Sequence, residues 1–343
     1  MADVNREDIF ENMKQDVLNS KLDEVNKNKM LKNILHLQSQ EINIMITGAT
    51  GSGKSSTINA LFDADVAKVG IGVDPETMDI QKYTLKNLIL WDSPGLGDGK
   101  EADNRHAKNI INKLAECDSS GKALIDLVLV ILDGSTRDLG TSYELINSVI
   151  IPNLGADKEN RILVAINQCD VAMKGQHWNH AENKPDAVLT KFLEEKVQSV
   201  RRRIREGTGV DIEPIYYSAG YKESEYEKQN PYNLSKLLYY IIQHTPKEKR
   251  IAYINNTNKH EEMWRDNDDL KDYSLEIQKS WAETIGEYAA KGADIGGDIG
   301  AIFGSTGEKI GRAFGEVAGA VYGAIKSGGD VIVKAVSSFF SGW

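Results

Sequence analysis

The chain has 343 residues, 41% of them hydrophobic, enough to bury one large core or two smaller ones. Its formal net charge of −10 argues against nucleic-acid binding through global charge. With only two cysteines, Cys117 and Cys169, no disulfide framework is implied and a reduced compartment is expected.

The opening MADVNREDIF has neither the basic nor the apolar region of a secretory signal. No run of about 18 uncharged apolar residues occurs anywhere, so a conventional membrane span is not expected. These features point to a cytoplasmic protein. Residues 1–40 read as one or two helices. Phe10, Met13, Val17, Leu18, Leu22 and Val25 follow helical spacing, and Met30, Leu31, Ile34 and Leu35 continue the stripe. Acidic residues at the start and lysines at the end suit the helix dipole. Such a segment either packs on the next domain or self-associates.

Residues 41–246 alternate strand and helix. Apolar runs at Ile42–Ile46, Asn87–Trp91, Ile125–Leu132, Ile162–Ile166 and Ile212–Tyr217 read as strands, with Gln81–Leu85 as a polar edge strand. Helices are expected at Ala107–Cys117, Tyr143–Val149, Pro185–Arg205 and Leu234–Gln243. Near-continuous apolar strands alternating with helices imply an α/β fold, a mostly parallel sheet covered on both faces in three layers. Phosphate ligands then sit at the carboxyl ends of the strands.

The first such end carries GATGSGKSS, Gly48 to Ser56. Gly48, Gly53, Lys54 and Ser55 match G-x-x-x-x-G-K-[ST] between a strand and a helix. Glycines let several backbone N–H groups converge on one anion, and the helix start adds its positive end. Gly48, Thr50, Gly51, Ser52, Gly53, Lys54, Ser55 and Ser56 are therefore the expected nucleotide contacts. Lys54 is expected to reach the β- and γ-phosphates, Ser55 to bind Mg²⁺, and Thr50 to bring a hydroxyl toward the γ-phosphate.

Later strand ends choose the base. WDSPGLGD, Trp91 to Asp98, places Asp92 where a carboxylate can hold Mg²⁺ through water, and Gly95 where a bare backbone N–H can approach a γ-phosphate. AINQCD, Ala165 to Asp170, ends in a carboxylate able to accept from guanine N1–H and the 2-amino group. Adenine offers neither donor. Asn167 can tie this loop to the phosphate loop, and YSAG, Tyr217 to Gly220, places Ser218 and the small Ala219 where a backbone N–H can meet guanine O6.

The order of these motifs resembles the translation-factor-related GTPases, and within them the Era/septin-like branch, including bacterial Era-like proteins of the HSR1 type. GATGSGKSS looks like the P-loop, DSPG like switch II, NQCD like the base-reading motif and SAG like the last base loop. The resemblance covers residues 41–246 and implies a P-loop NTPase G domain that binds Mg²⁺ with GTP or GDP and hydrolyses GTP. It also implies a switch I threonine, Thr77 in VGIGVDPETMDI, that coordinates Mg²⁺ and closes over the γ-phosphate. Catalysis then falls to Lys54, Thr77 and Gly95, and the metal to Ser55, Thr77 and Asp92.

Two positions depart from the pattern. Gln168 stands where the family usually has a lysine whose stem packs on the base. Leu96 stands where many small GTPases have a water-orienting glutamine. The Era/septin-like branch commonly has a hydrophobic residue there, which implies slow turnover assisted by a partner, a dimer or a monovalent cation.

Other stretches carry two readings each. RRRIR, Arg201 to Arg205, complements a helix dipole or meets an anionic partner, including an arginine donated across a dimer. Arg105 and His106 belong to a solvated switch or touch the γ-phosphate. HWNH, His177 to His180, is a surface insertion or, with Cys169 and Glu182, a metal site. In residues 247–343 glycine recurs at Gly292, Gly296, Gly300 and Gly304, and again at Gly311, Gly315, Gly319 and Gly323, with a turn expected at Ser305–Gly307. Small residues at spacing four let helices approach closely in a hairpin or an oligomer, or favour association in a membrane. VIVKAVSSFFSGW adds interface-loving aromatics, so 290–343 is the expected site of any peripheral membrane contact.

Overall fold

The computed structural model describes residues 8–62, 80–96, 99–222, 228–294 and 302–307. The chain folds as two compact units. One comprises Ile42–Thr245 with Glu262–Lys271; the other draws on Met1–Glu41, Pro246–Glu261 and Asp272–Trp343.

The first unit is built on a six-stranded sheet: β1 Ile42–Thr47, β2 Gln81–Thr84, β3 Leu88–Asp92, β4 Leu127–Asp133, β5 Ile162–Asn167 and β6 Ile215–Tyr216, in the order β2-β3-β1-β4-β5-β6. All neighbours pair in parallel except β2, which runs antiparallel to β3 at the edge. Every residue of β1 and β5 is buried, as helices on both faces require of near-continuous apolar strands. This is a three-layer α/β P-loop NTPase fold. Helix α3 (Lys54–Phe62) follows β1, α4 (Lys100–Ala115) follows β3, and α5 begins at Gly140–Glu144 and continues through a π turn to Asn153. Helix α6 (Ala187–Thr208) is capped by Asp186, whose carboxylate accepts from the N–H groups of Val188 and Leu189, and it ends on Gly209 in the left-handed conformation. Helix α7 is Leu234–Gln243.

β1 is central. Its neighbours β3 and β4 connect to opposite ends of the sheet order, so the carboxyl end of β1 opens a crevice where the strand order switches. The phosphate loop lies there. The loops after β3, β5 and β6 emerge on the same side because those strands are parallel to β1.

The second unit packs α1 (Ile9–Asn19) and α2 (Glu24–Gln38) with a 3-10 helix, Lys247–Asn255, and α8 (Tyr273–Thr284). Phe10, Met13, Met30, Ile34, Tyr253, Ile277 and Trp281 are fully buried in this unit. Asn255 joins its ends: Oδ1 accepts from Ile9 N at 3.1 Å, and Nδ2 donates to Asp8 Oδ1 at 3.1 Å.

Two expectations change here. The apolar stripe of residues 1–40 is not continuous. Leu18, Val25 and Leu35 are 49%, 65% and 55% exposed, because the break at Ser20–Asp23 resets the helical phase. Ser305–Gly307 is not an open turn but part of a helical turn over 304–307, in which Ser305 Oγ, Thr306 N and Thr306 Oγ1 donate to the Asp16 carboxylate. Gly292 and Gly304 lie among the described residues; the rest of the glycine repeat lies outside them. Among the described residues no helix is long and apolar enough to cross a membrane.

Candidate nucleotide site

The phosphate loop runs from Gly48 into α3. Lys54 Nζ donates to the carbonyl oxygens of Gly48 at 2.9 Å and Ala49 at 3.3 Å, so the lysine is held over its own loop. Gly53 has φ +86°, and a Cβ there would fall 2.2 Å from Asn167 Nδ2. No side chain fits. Thr50, Ser55 and Ser56 are exposed at the loop and helix start, whereas Ser52 is buried. The Ser52 hydroxyl has no hydrogen-bond partner among the described residues.

Asp92 closes β3. Its Oδ1 is buried and likewise lacks a hydrogen-bond partner among the described residues. Burial raises its pKa above the ordinary carboxylate value, and the positive charge of Lys54 partly opposes that rise. Next to it, Trp91 donates from Nε1 to Asn43 Oδ1 at 3.0 Å, with Lys113 Nζ 4.1 Å and Lys82 Nζ 5.2 Å from its ring centroid. Gly95 lies against the phosphate loop, where a Cβ would come within 2.5 Å of the Gly48 carbonyl oxygen. His106 is not part of a solvated switch. It is 1% exposed, and its Nδ1 is 3.1 Å from the Gly95 carbonyl oxygen. Thr77 lies outside the described residues.

The base loops meet at Asn167. Its Nδ2 donates to Ser52 O at 2.9 Å, its Oδ1 accepts from Ala219 N at 3.0 Å, and its backbone carbonyl accepts from Gly134 N at 2.7 Å. One buried amide therefore joins the phosphate loop, the NQCD loop and the SAG loop. It also engages the Ala219 N–H, and Gly220 N donates to Ser218 Oγ at 3.2 Å. Gln168, at φ +60°, donates from Nε2 to Gly51 O at 2.7 Å. The glutamine thus ties the base loop to the phosphate loop with a neutral amide. Asp170 is 7% exposed, and burial pushes the Cys169 thiol well up in pKa, with the nearby Asp170 charge adding to the rise.

An oxygen-only donor set of hydroxyl and carboxylate, with a buried carboxylate oxygen lacking a partner, suits a hard cation such as Mg²⁺. Backbone N–H groups and Lys54 at a helix start suit a polyphosphate. Residues 43–168 match the family model described as 50S ribosome-binding GTPase. That match lies within the α/β unit, whose fold is that of the P-loop NTPases. Protein YkfA of Escherichia coli (strain K12) is 30% identical over 148 residues, 42% of this chain and 47% of that protein. The chain thus spans about half the length of that relative. Interferon-inducible GTPase 1 of Mus musculus is 34% identical over 80 residues, 22% of this chain and 19% of that protein. Toc33 from Arabidopsis thaliana, solved with Mg²⁺ and GMPPNP, is similar at 15% identity and a TM-score of 0.38, over 62% of this chain and 85% of that one.

Several supports of the G domain escape sequence patterns. Tyr217 and Thr57 hydroxyls meet at 2.7 Å, and Thr57 Oγ1 donates to Gly53 O at 2.8 Å, fastening α3 to the end of the last strand. Lys196 on α6 donates to the carbonyls of Gly134 and Thr136, at 2.5 and 2.7 Å, and burial lowers its pKa. Asn233, fully buried in the left-handed conformation, donates from Nδ2 to Tyr216 O and accepts at Oδ1 from Asp268 N. An Asn before a helix tolerates that backbone, which was the one sequence signal available.

The remaining candidates resolve into structure. Arg201 pairs with Asp211 through two hydrogen bonds of 2.7 Å, and Arg203 lies over Tyr143. His177 Nδ1 contacts Asp186 Oδ2 at 2.8 Å, Glu182 pairs with Lys184, and no cluster able to hold a metal occurs among the described residues.

Proposed function

We propose that this protein binds GTP with Mg²⁺, hydrolyses it slowly to GDP and phosphate, and uses the resulting change of shape to control self-association or contact with a partner or membrane surface. The observation that carries this reading is the Asn167 junction, which binds phosphate loop and base loops into one site with 2.9 and 3.0 Å hydrogen bonds. Asp170 reads guanine. Gly48 to Ser56 cradle the phosphates, and Lys54 leaves the Gly48 and Ala49 carbonyls to neutralise charge developing on the transferring group. Ser55, Thr77 and Asp92 would hold Mg²⁺, which supplies further neutralisation of that charge. Gly95 N–H and Thr77 engage the γ-phosphate and relax once it is gone. Ser218 and Ala219 complete the base pocket after a rearrangement, because the Ala219 N–H is engaged by Asn167 in this structure.

Leu96 sets the rate. Its side chain cannot orient water, so turnover of the isolated molecule is slow and a second copy or partner completes the site. We place the protein in the cytoplasm, with 290–343 serving helix packing or self-association, or else peripheral membrane contact. Steady-state GTP hydrolysis measured against protein concentration is the test. A rate per molecule that rises with concentration is expected. A flat rate near zero sinks the assembly-coupled enzyme and leaves a nucleotide-gated interaction module, the reading that Leu96 also favours.

A further inference from the structure

His106 sits on the second turn of α4, 11 residues beyond Gly95, and is the side chain that meets the switch glycine's carbonyl. A carbonyl oxygen only accepts, so Nδ1 carries the proton in the 3.1 Å contact. In the neutral ring Nε2 is then a bare acceptor, and it is buried with no hydrogen-bond partner among the described residues. The opposite side of Gly95 is equally constrained, since a Cβ there would come within 2.5 Å of the Gly48 carbonyl oxygen. Gly95 is thus held between the phosphate loop and one imidazole.

We infer that His106 is a positioning residue for the γ-phosphate response. Glycine has the widest backbone freedom of any residue, and an unanchored Gly95 would spread its N–H over many directions. Fixing its carbonyl holds the Gly95–Leu96 peptide plane, and with the phosphate loop packed on the other side this narrows the torsions that decide where the Gly95 N–H points. The demand is greater here than with a glutamine after the glycine, because Leu96 contributes only backbone to the site. Nε2, without a hydrogen-bond partner among the described residues, adds a second property. Any switch movement that brings it a donor is favoured, so the ring responds to the rearrangement as well as guiding it. This inference rests on reading Gly95 as a γ-phosphate contact.

The test compares full-length wild type with His106→Phe and His106→Leu, which cannot donate, and His106→Asn, whose amide can. Affinities for GDP and for GMPPNP are measured with Mg²⁺, together with kcat for GTP. Loss of one hydrogen bond that acts only with the γ-phosphate present predicts a fall of about ten-fold in GMPPNP affinity and kcat for the Phe and Leu variants. GDP affinity stays within about two-fold, and Asn restores most of the loss. Equal losses for GDP and GMPPNP, or an Asn variant as impaired as Phe, overturn the proposal. If wild type hydrolyses nothing, the turnover reading fails while the GMPPNP-to-GDP ratio still decides the role of His106. Imidazole ¹⁵N shifts of nucleotide-free wild type need no variant: an Nδ1–H tautomer is expected, and an Nε2–H tautomer overturns the contact.

Discussion

Asp92 carries a charge whose Oδ1 is out of water and without a hydrogen-bond partner among the described residues. Burial raises its folded pKa, so the folded state favours the protonated form. The resulting penalty is absent below the unfolded value, near about 3.9, and present in full above the raised folded value. Asp92→Asn is therefore expected to raise the Tm of the nucleotide-free protein at neutral pH. The same change should abolish the Mg²⁺-dependent part of GTP affinity. Unchanged Tm and unchanged Mg²⁺ dependence would show that the carboxylate is neither strained nor a metal holder. Asp170→Ala should erase the preference for GTP over ATP, read by competition binding, because the partner of guanine N1–H and the 2-amino group is gone. Gln168→Ala removes the tie to Gly51, and a loss of about 0.5–1.5 kcal/mol in nucleotide affinity is expected. The chemistry proposed for Asp92 and Asp170 rests on residue type and spacing alone. The roles of Gln168 and His106 were not legible in the sequence, because each depends on a partner chosen by the fold.

The strands of the G domain were plain in the sequence, since burial on both faces demands uninterrupted apolar runs. Helix starts were uneven: the helix expected from Leu234 begins there, whereas the start of α4 was missed. The apolar signal of α4 begins near Ala107, but the helix begins at Lys100, where Gly99 at φ +104° turns the chain and the polar first turns face outward. Least visible was Glu262–Lys271, a charged and Asn/Asp-containing stretch with no periodicity. It packs with the G domain through tertiary contacts that no local pattern encodes. Asn233 N donates to Asp266 O at 2.8 Å, Asn183 Nδ2 donates to Asp266 Oδ2 at 2.8 Å, and Lys236 pairs with Asp268 at 2.7 Å. Both side chains of that ion pair are nearly buried, at 12% and 7% exposure. Breaking it removes the carboxylate partner of a nearly buried cation, so Asp268→Ala is expected to cost about 3 kcal/mol in urea unfolding. Replacing both partners, Lys236→Met with Asp268→Leu, should recover much of that cost; a double variant as unstable as the single one would show that packing, not charge, is what Asp268 supplies.

Across the whole chain, the helical unit is assembled from stretches far apart in sequence, and composition offers no hint of which stretches meet. Phe10→Ala empties a fully buried site there and should cost that unit about 3–5 kcal/mol. Guanine-nucleotide affinity should stay unchanged, because the nucleotide contacts all belong to the G domain. Liposome flotation with and without residues 290–343 addresses the glycine repeat. Lipid binding lost on truncation would assign the segment to a membrane surface, and no binding by the full chain in either nucleotide state would remove the membrane role. The link from Asn255 to Ile9 and Asp8 also bears on synthesis. Its two ends are separated by 246 residues, which a ribosome adds in roughly 10–50 s at about 5–20 residues per second. For that interval the apolar face of α1 has only α2 against it and lacks the 3-10 helix, while the β1 to β6 region can already close around its own core. Newly made protein therefore needs protection at α1 before the G domain needs it, and a nascent-chain chaperone should crosslink to Phe10 and Met13 until the 3-10 helix has left the ribosome.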